Sequence, residues 1–198
     1  MKSKFFRAIY TILLTVSALQ VAGCASTSTP LNLPQATHEN VTTLRLLQLA
    51  PVAVGKFSFD ASGPLSADQF VYPRGTPVAS LHNGSFAQHL REVLRVELDA
   101  AALLDGRAPL IIEGVLLDNE LNAPIGKGNA KLRAKFTIKD GANTIYEQTF
   151  GVDSAWDSPM YGVAAMSTAM KEYQSLYHKL IARLFADPAF KQALSKQG

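Results

Sequence analysis

Apolar and polar residues alternate most regularly in the stretch 131–139, and this period of two predicts a β-strand with one buried face. Its apolar side consists of Leu132, Ala134, Phe136 and Ile138. The other side carries four cations, named here the basic row: Lys131, Arg133, Lys135 and Lys139.

The stretch 144–152 alternates in the same way and predicts the partner strand of a hairpin. Both apolar faces lie on the same side of the sheet when Ile138 is opposite Tyr146. This register leaves a three-residue loop, 141–143, in which Asn143 is expected to take the left-handed conformation. Two more strands are predicted: 110–117, which is apolar on both faces as a central strand would be, and 52–59.

Two stretches have the spacing of amphipathic helices. The first covers 85–104, with Ser85 as its predicted N-cap. The second covers 163–185 and has a wider apolar stripe. After it, Asp187 and Pro188 predict the N-cap and first residue of a short last helix.

The order of these elements is β-α-β-β-β-α plus a short C-terminal helix, which indicates the α+β class. The economical packing is a two-layer sandwich, with an about four-stranded mixed sheet and the two long helices on one face. We therefore expect a single globular α+β domain over 44–198. The stretches 61–77 and 154–162 are predicted to be loops.

The N-terminal stretch has a different pattern. Lys2, Lys4 and Arg7 precede an apolar run over 8–22, which is shorter than the about 20 residues that a membrane-spanning helix needs. This layout predicts a secretory signal peptide over 1–23, which is removed. The run ends in Val21, Ala22, Gly23 and Cys24, and Cys24 is the one cysteine of the protein.

The Val-Ala-Gly-Cys sequence resembles the lipobox of bacterial lipoproteins. The resemblance implies that signal peptidase recognises Val21, Ala22 and Gly23, that cleavage precedes Cys24, and that Cys24 carries a diacylglyceryl group and an acylated amino group. Ala25 stands where an inner-membrane retention signal would place Asp, so the resemblance implies the periplasmic face of the outer membrane rather than the inner membrane. The alternative is a secreted protein with a free cysteine.

The polar stretch after the leader, 24–43, has no sustained apolar period, and we expect it to be a flexible tether. The whole chain holds 19 Lys and Arg against 16 Asp and Glu. Because the leader contributes three of the basic residues and no acid, the rest of the chain has equal numbers of each. This balance gives no indication of nucleic-acid binding.

The sequence has no specific catalytic motif, and no catalytic residue, metal ligand set or cofactor is predicted. His82 and His89 are seven residues apart, but a metal site would need a third ligand.

Two binding candidates stand out. The basic row could meet an anionic lipid, a glycan or an acidic envelope protein, or could be a solvated sheet face. The predicted docking loop, Trp156, Asp157, Met160 and Tyr161, could bind a partner, or Trp156 could cap the core.

The layout resembles the small, uncharacterised outer-membrane lipoproteins of proteobacteria, including the YajG type. The shared features are the lipobox, a helix such as the one that begins at Phe86, a strand at Leu110, a hairpin and a final helix opened by Asp187. The resemblance implies a non-enzymatic binding, assembly or transport-accessory module that is held at the membrane by its lipid. An envelope hydrolase acting on cell-wall or lipid material and a structural spacer are the alternatives.

Overall fold

The structure, a computed structural model, describes residues 28–60 and 66–195. The predicted signal peptide, Cys24 and the first part of the predicted tether therefore lie outside the described residues. The elements in chain order are β1 (Thr29–Pro30), α1 (His38–Leu46), β2 (Ala53–Phe59), α2 (Ser66–Gln69), a 3₁₀ turn (Pro73–Gly75), β3 (Val78–Ala79), α3 (Phe86–Ala100), β4 (Leu110–Asn122), β5 (Gly126–Asp140), β6 (Asn143–Ser158), α4 (Gly162–Ala186) and α5 (Pro188–Leu194).

The main sheet confirms the predicted fold class. Its four strands within the described residues have the order β2-β4-β5-β6, with β2 parallel to β4 and the other pairs antiparallel. Helix α3 packs on β2 and β4, and α4 packs on β5 and β6. The result is a two-layer α+β sandwich with a mixed sheet, and the core lies between the helices and the sheet.

The predicted helix starts are confirmed by their capping bonds. Ser85 accepts a hydrogen bond from the backbone N–H of Gln88 at 3.2 Å, which opens α3. Asp187 accepts from the N–H of Ala189 at 2.6 Å, and Pro188 is the first residue of α5. Both side chains satisfy helix N–H groups that would otherwise have no partner.

The strands of the hairpin are longer than predicted. β6 continues to Ser158, so the predicted loop over 154–162 is wrong for its first half. Ile138 does pair with Tyr146, as predicted. The prediction of a left-handed Asn143 is wrong. Asn143 pairs with Asp140, and the positive φ of 57° belongs to Gly141. An irregularity in register beside Ile138 takes up the residue that the prediction had placed in the loop.

The prediction of a flexible tether is wrong for residues 28–43. β1 pairs in parallel with β3, Leu31 is buried in the core, and α1 packs on α3 and α4. The prediction failed because this segment has little amphipathic pattern of its own. Its order comes from contacts with residues far away in the chain.

Phe57 and Gly114 fit together at the centre of the sheet. They are paired residues of β2 and β4, and a Cβ added to Gly114 would lie 2.3 Å from the nearest ring atom of Phe57. The ring also contacts Phe136 edge to face, with centroids 6.3 Å apart. Gly114 is thus required by the aromatic ring that covers it rather than by its backbone conformation.

We predict that Gly114→Ala destabilises the protein by about 1–3 kcal/mol, because Phe57 must leave its place in a close-packed core. The matched control is Gly151→Ala in β6, where the nearest atom to an added Cβ is 3.8 Å away. The control should change stability by no more than about 0.5 kcal/mol. Urea unfolding of both variants measures the difference, and equal stabilities would contradict this account of the core.

Candidate functional site

A cleft on the helix side of the molecule is a candidate site. The segment 32–35 runs from β1 to α1 and forms one wall, and α3 and α4 form the rest. The cleft measures about 490 Å³ and is lined by Asn32, Leu33, Pro34, Gln35, His89, Val93, Gln174 and His178. Its polar lining consists of amides and imidazoles, without a carboxylate or an ammonium group.

Two polar groups that line this cleft have no hydrogen-bond partner among the described residues. They are Nδ1 of His89 and Nε2 of Gln174. The other amide atom of Gln174, Oε1, accepts a hydrogen bond from Asn32 Nδ2 at 3.3 Å. Both atoms are buried, and a buried polar group without a partner costs free energy, so a ligand that reached either atom would gain a hydrogen bond.

His89 is the most buried of the histidines in the described residues, with 3% of its surface exposed. Its ring lies edge-on to Tyr177, with centroids 4.8 Å apart, and 5.5 Å from the ring of His82. Burial, together with the neighbouring imidazoles of His82 and His178, lowers the pKa of His89 to about 3. The imidazole is therefore neutral at neutral pH and can serve as a hydrogen-bonding group without carrying charge.

A fully buried carboxylate, Glu97 of α3, lies next to the lining residue His178. Its side chain has 0% exposure. Its oxygens accept hydrogen bonds from Thr37 N, Thr37 Oγ1 and Asn40 Nδ2, each at 3.0 Å. Nδ1 of His178 is also 3.0 Å from Oε1 of Glu97.

The Glu97 cluster, meaning Glu97 with Thr37, Asn40 and His178, joins three helices. Thr37 caps α1, Glu97 belongs to α3, and His178 belongs to α4. Asn40 also donates to the backbone oxygen of His178 at 3.3 Å. The cluster therefore sets where α1 and the wall segment 32–35 sit relative to the other two helices.

Deeper in the same layer, a second polar network links α4 to the sheet. The Tyr173 hydroxyl donates to Asn119 Oδ1, and it lies 3.0 Å from the Tyr177 hydroxyl. Asn119 Nδ2 donates to the carbonyl of Ala67 at 2.7 Å. Burial raises the pKa of both tyrosines above the usual value, so both hydroxyls stay protonated. Tyr177 also touches His89, so this network supports the inner wall of the cleft.

The basic row lies on the sheet face away from the helices, and each of its cations contacts a carboxylate. Asp118 is 2.7 Å from Arg133 and 3.3 Å from Lys131. The hydrogen bond from Arg133, followed by that from Lys131, lowers the pKa of Asp118. The remaining pairs are Lys135 with Glu147 at 3.4 Å and Lys139 with Glu113 at 2.6 Å.

These ion pairs change the expectation for the basic row. Alternation along β5 placed its cations on one face, but the sequence pattern did not show which acids would stand opposite them. Cross-strand pairing on β4 and β6 brings three acids to four cations, which leaves little positive charge uncompensated. Binding of an anionic partner at this face stays a prediction, and it would have to compete with these pairs.

The predicted docking loop divides into a core residue and an exposed end. Trp156 is 9% exposed and lies in β6 opposite Gly128, where an added Cβ would be 2.4 Å from the indole ring. Trp156 therefore caps the core, which is the second of the two roles expected for it from the sequence. Asp157 faces solvent and contacts Lys127 at 2.5 Å, and Met160 and Tyr161 are exposed.

Arg74 organises this end of the molecule. It sits in the 3₁₀ turn with a φ of 52°, and its guanidinium donates to two other segments. Nε bonds the carbonyl of Ala123 at 2.6 Å, and Nη1 bonds that of Met160 at 3.0 Å. Nη2 contacts the carbonyl of Pro159 and Oγ of Ser158. The turn between β4 and β5 and the connection from β6 to α4 are thus held together by one side chain.

Sequence reasoning missed the residues of the cleft and of the Glu97 cluster. A signal for one of them was present. Glu97 lies three residues after Leu94 and one before Leu98, so it falls inside the apolar stripe of α3. A charged residue in such a stripe predicts a buried charge with partners elsewhere. Thr37, Asn40 and Gln174 carried no comparable signal.

Within 28–60 and 66–195, no group of three or more His, Cys, Asp or Glu is placed to hold a metal ion.

No protein-family model matches the sequence, and no curated protein matches it. The fold is similar to that of a crystal structure from Xanthomonas campestris in the family DUF330, with a TM-score of 0.52, 11% sequence identity and coverage of 85% of this chain and 94% of that chain. This likeness shows a shared fold.

Two further structures are more distant. A minor lipoprotein of Acinetobacter baumannii has a TM-score of 0.44 at 12% identity, covering 76% of this chain and 97% of that one. A hypothetical protein of Chlamydia trachomatis has a TM-score of 0.42 at 9% identity, covering 69% and 96%. No helix among the described residues is long and apolar enough to cross a membrane.

We predict that Glu97→Gln loosens the segment 28–46 and lowers stability by about 2 kcal/mol, because the charged acceptor of four contacts is lost inside the protein. The control is Glu92→Gln on the same helix, whose contacts with Arg91 and Arg95 are partly exposed, with an expected cost of about 0–1 kcal/mol. Amide hydrogen exchange in α1 measures the loosening. Equal exchange in both variants would show that Glu97 does not hold the segment.

Proposed function

We propose that the protein is a lipid-anchored lipoprotein of the bacterial cell envelope, held at the periplasmic face of the outer membrane by Cys24. The observation that carries this proposal is the Val21-Ala22-Gly23-Cys24 sequence at the end of a basic and then apolar leader. Palmitate and the other acyl chains on Cys24 would supply the attachment. One acyl chain binds a membrane marginally, whereas two or more give stable attachment.

The domain itself serves, in this proposal, as a non-enzymatic binding module for assembly or transport in the envelope. The cleft beside α3 and α4 is its ligand site. Its lining of amides and the neutral imidazole of His89, with unpaired buried nitrogens on His89 and Gln174, suits an uncharged polar ligand. A deprotonated imidazole and an amide offer hydrogen bonds and no net charge.

The Glu97 cluster supports binding rather than acid–base catalysis. A carboxylate and an imidazole 3.0 Å apart resemble a catalytic pair, but Glu97 is fully buried and its oxygens already accept from Thr37 and Asn40. A general base needs a free acceptor position within reach of the substrate. The pair is thus suited to hold helices together, which leaves the hydrolase alternative without a base at this position.

Changing the lipidated residue tests the anchor. Cys24→Ala should abolish incorporation of labelled palmitate and leave an uncut precursor in the inner membrane, since the thiol that accepts the diacylglyceryl group is gone. Ser26→Ala, two residues further on, should be processed and acylated normally. Palmitate labelling, mass measurement and membrane fractionation give the readout. A mature Cys24→Ala protein in the outer membrane would refute the proposal.

The cleft is tested by Gln174→Leu, which removes the free amide nitrogen. Native mass spectrometry of protein extracted from its own membranes should show a bound small molecule on the wild type, reduced at least about tenfold in the variant. The control is Ser175→Ala, because Ser175 Oγ bonds only the carbonyl of Glu172 within α4. Wild-type protein without any bound molecule, or equal occupancy in Gln174→Leu, would contradict the cleft as the ligand site.

A further inference from the structure

Five of the exposed large apolar side chains belong to one end of the molecule, named here the apolar end. They come from the segment before the 3₁₀ turn, the turn between β4 and β5, and the start of α4. All three are near the carbonyls and residues that Arg74 joins. The side chains are Tyr72, Ile125, Met160, Tyr161 and Val163.

The N-terminal part of the chain enters the fold at this same end. The backbone N–H of Thr29 donates to the carbonyl of Pro77 at 2.9 Å. Pro77 follows Arg74 by three residues, which can span no more than about 11 Å. β1 then runs away from this point alongside β3, as the Leu31 N–H bond to the Ala79 carbonyl at 2.9 Å shows.

The proposed lipid site is close to this point along the chain. Cys24 precedes Ser28, the first described residue, by four residues, and four residues span at most about 14 Å. The acyl chains of a lipidated Cys24 lie in the hydrocarbon layer, so the residue itself is at the level of the lipid headgroups. The apolar end is therefore held within reach of the bilayer surface.

We propose that the apolar end is a membrane-contact surface, seated on the bilayer that holds the Cys24 acyl chains. This inference rests on the proposed lipid anchor and adds an orientation to it. Tyrosine is enriched at the interface between water and hydrocarbon, and apolar side chains on the membrane-facing side of a protein strengthen binding by the area they bury. Two charges beside them, Lys127 and Asp157, contact each other at 2.5 Å and add no net charge as a pair. The guanidinium of Arg74 donates to backbone carbonyls at the same end. Contact with lipid then buries side chains that water would otherwise surround.

The opposite end of the β5–β6 hairpin supplies a matched control. Ile145 is also an exposed aliphatic residue, at 45%, but it lies next to the turn at Gly141. Val163, at 88% exposure, lies beyond the other end of the same hairpin. Both positions accept a substitution without disturbing the core, so a comparison of the two reports orientation rather than folding.

The test uses the full-length acylated protein with Val163→Cys or Ile145→Cys, in which the new thiol is the free one. Each is labelled with a polarity-sensitive fluorophore and reconstituted into vesicles of phosphatidylethanolamine and phosphatidylglycerol that contain a lipid with a nitroxide on its headgroup. Quenching at position 163 should exceed that at position 145 by at least about twofold, since one end contacts the headgroups and the other is a domain length away. The mass of the N-terminal peptide records acylation in each sample.

The outcomes separate the anchor from the contact surface. An acylated protein with equal quenching at both positions, or with none, would overturn the membrane contact and leave the anchor standing. A protein without acyl groups would overturn both. If a water-soluble thiol reagent reached Cys at 163 in vesicles but was blocked in native envelopes, a protein partner would cover the apolar end instead, and the membrane contact would be wrong.

Discussion

The burial of one carboxylate, Glu97, is the constraint on which the helical layer depends. An ionised group without water is costly unless other groups replace its hydrogen bonds. Here the replacements come from Thr37 and Asn40 at the start of α1 and from His178 on α4. The three helices therefore have to meet at one point. The same hydrogen bonds fix the positions of the elements that form the cleft beside it.

The sheet shows how two faces of one element take different roles. On the face towards the helices, aromatic rings cover glycines, with Phe57 over Gly114 and Trp156 over Gly128. On the other face, acids of β4 and β6 pair with the cations of β5. The first arrangement closes the core and the second leaves a nearly neutral surface. The proposed ligand site and membrane contact rest on other groups, those of the cleft and of the apolar end.

The strands and long helices could be predicted because their own residues carry the signal. Alternation along β5 and the stripe of α4 depend only on neighbours in the chain, and the Ile138–Tyr146 register followed from keeping two apolar faces together. The segment 28–46 and the cleft could not be predicted in this way. Asn40 is an ordinary polar residue until the fold brings it to 3.0 Å from Glu97. Trp156 was assigned to a loop because β6 loses its apolar alternation before it ends.

The long sequence separation of these contacts has a consequence for the order in which the chain folds. Thr37 and its partner Glu97 are 60 residues apart, and Asn40 and the carbonyl of His178 are 138 residues apart. A chain made or exported from its N-terminus presents the segment 28–46 first, long before either partner exists beside it. The hairpin of β5 and β6, by contrast, can form as soon as its own residues are present, since its contacts are local. The contacts that hold the segment 28–46 can thus be completed only after α4 has been made.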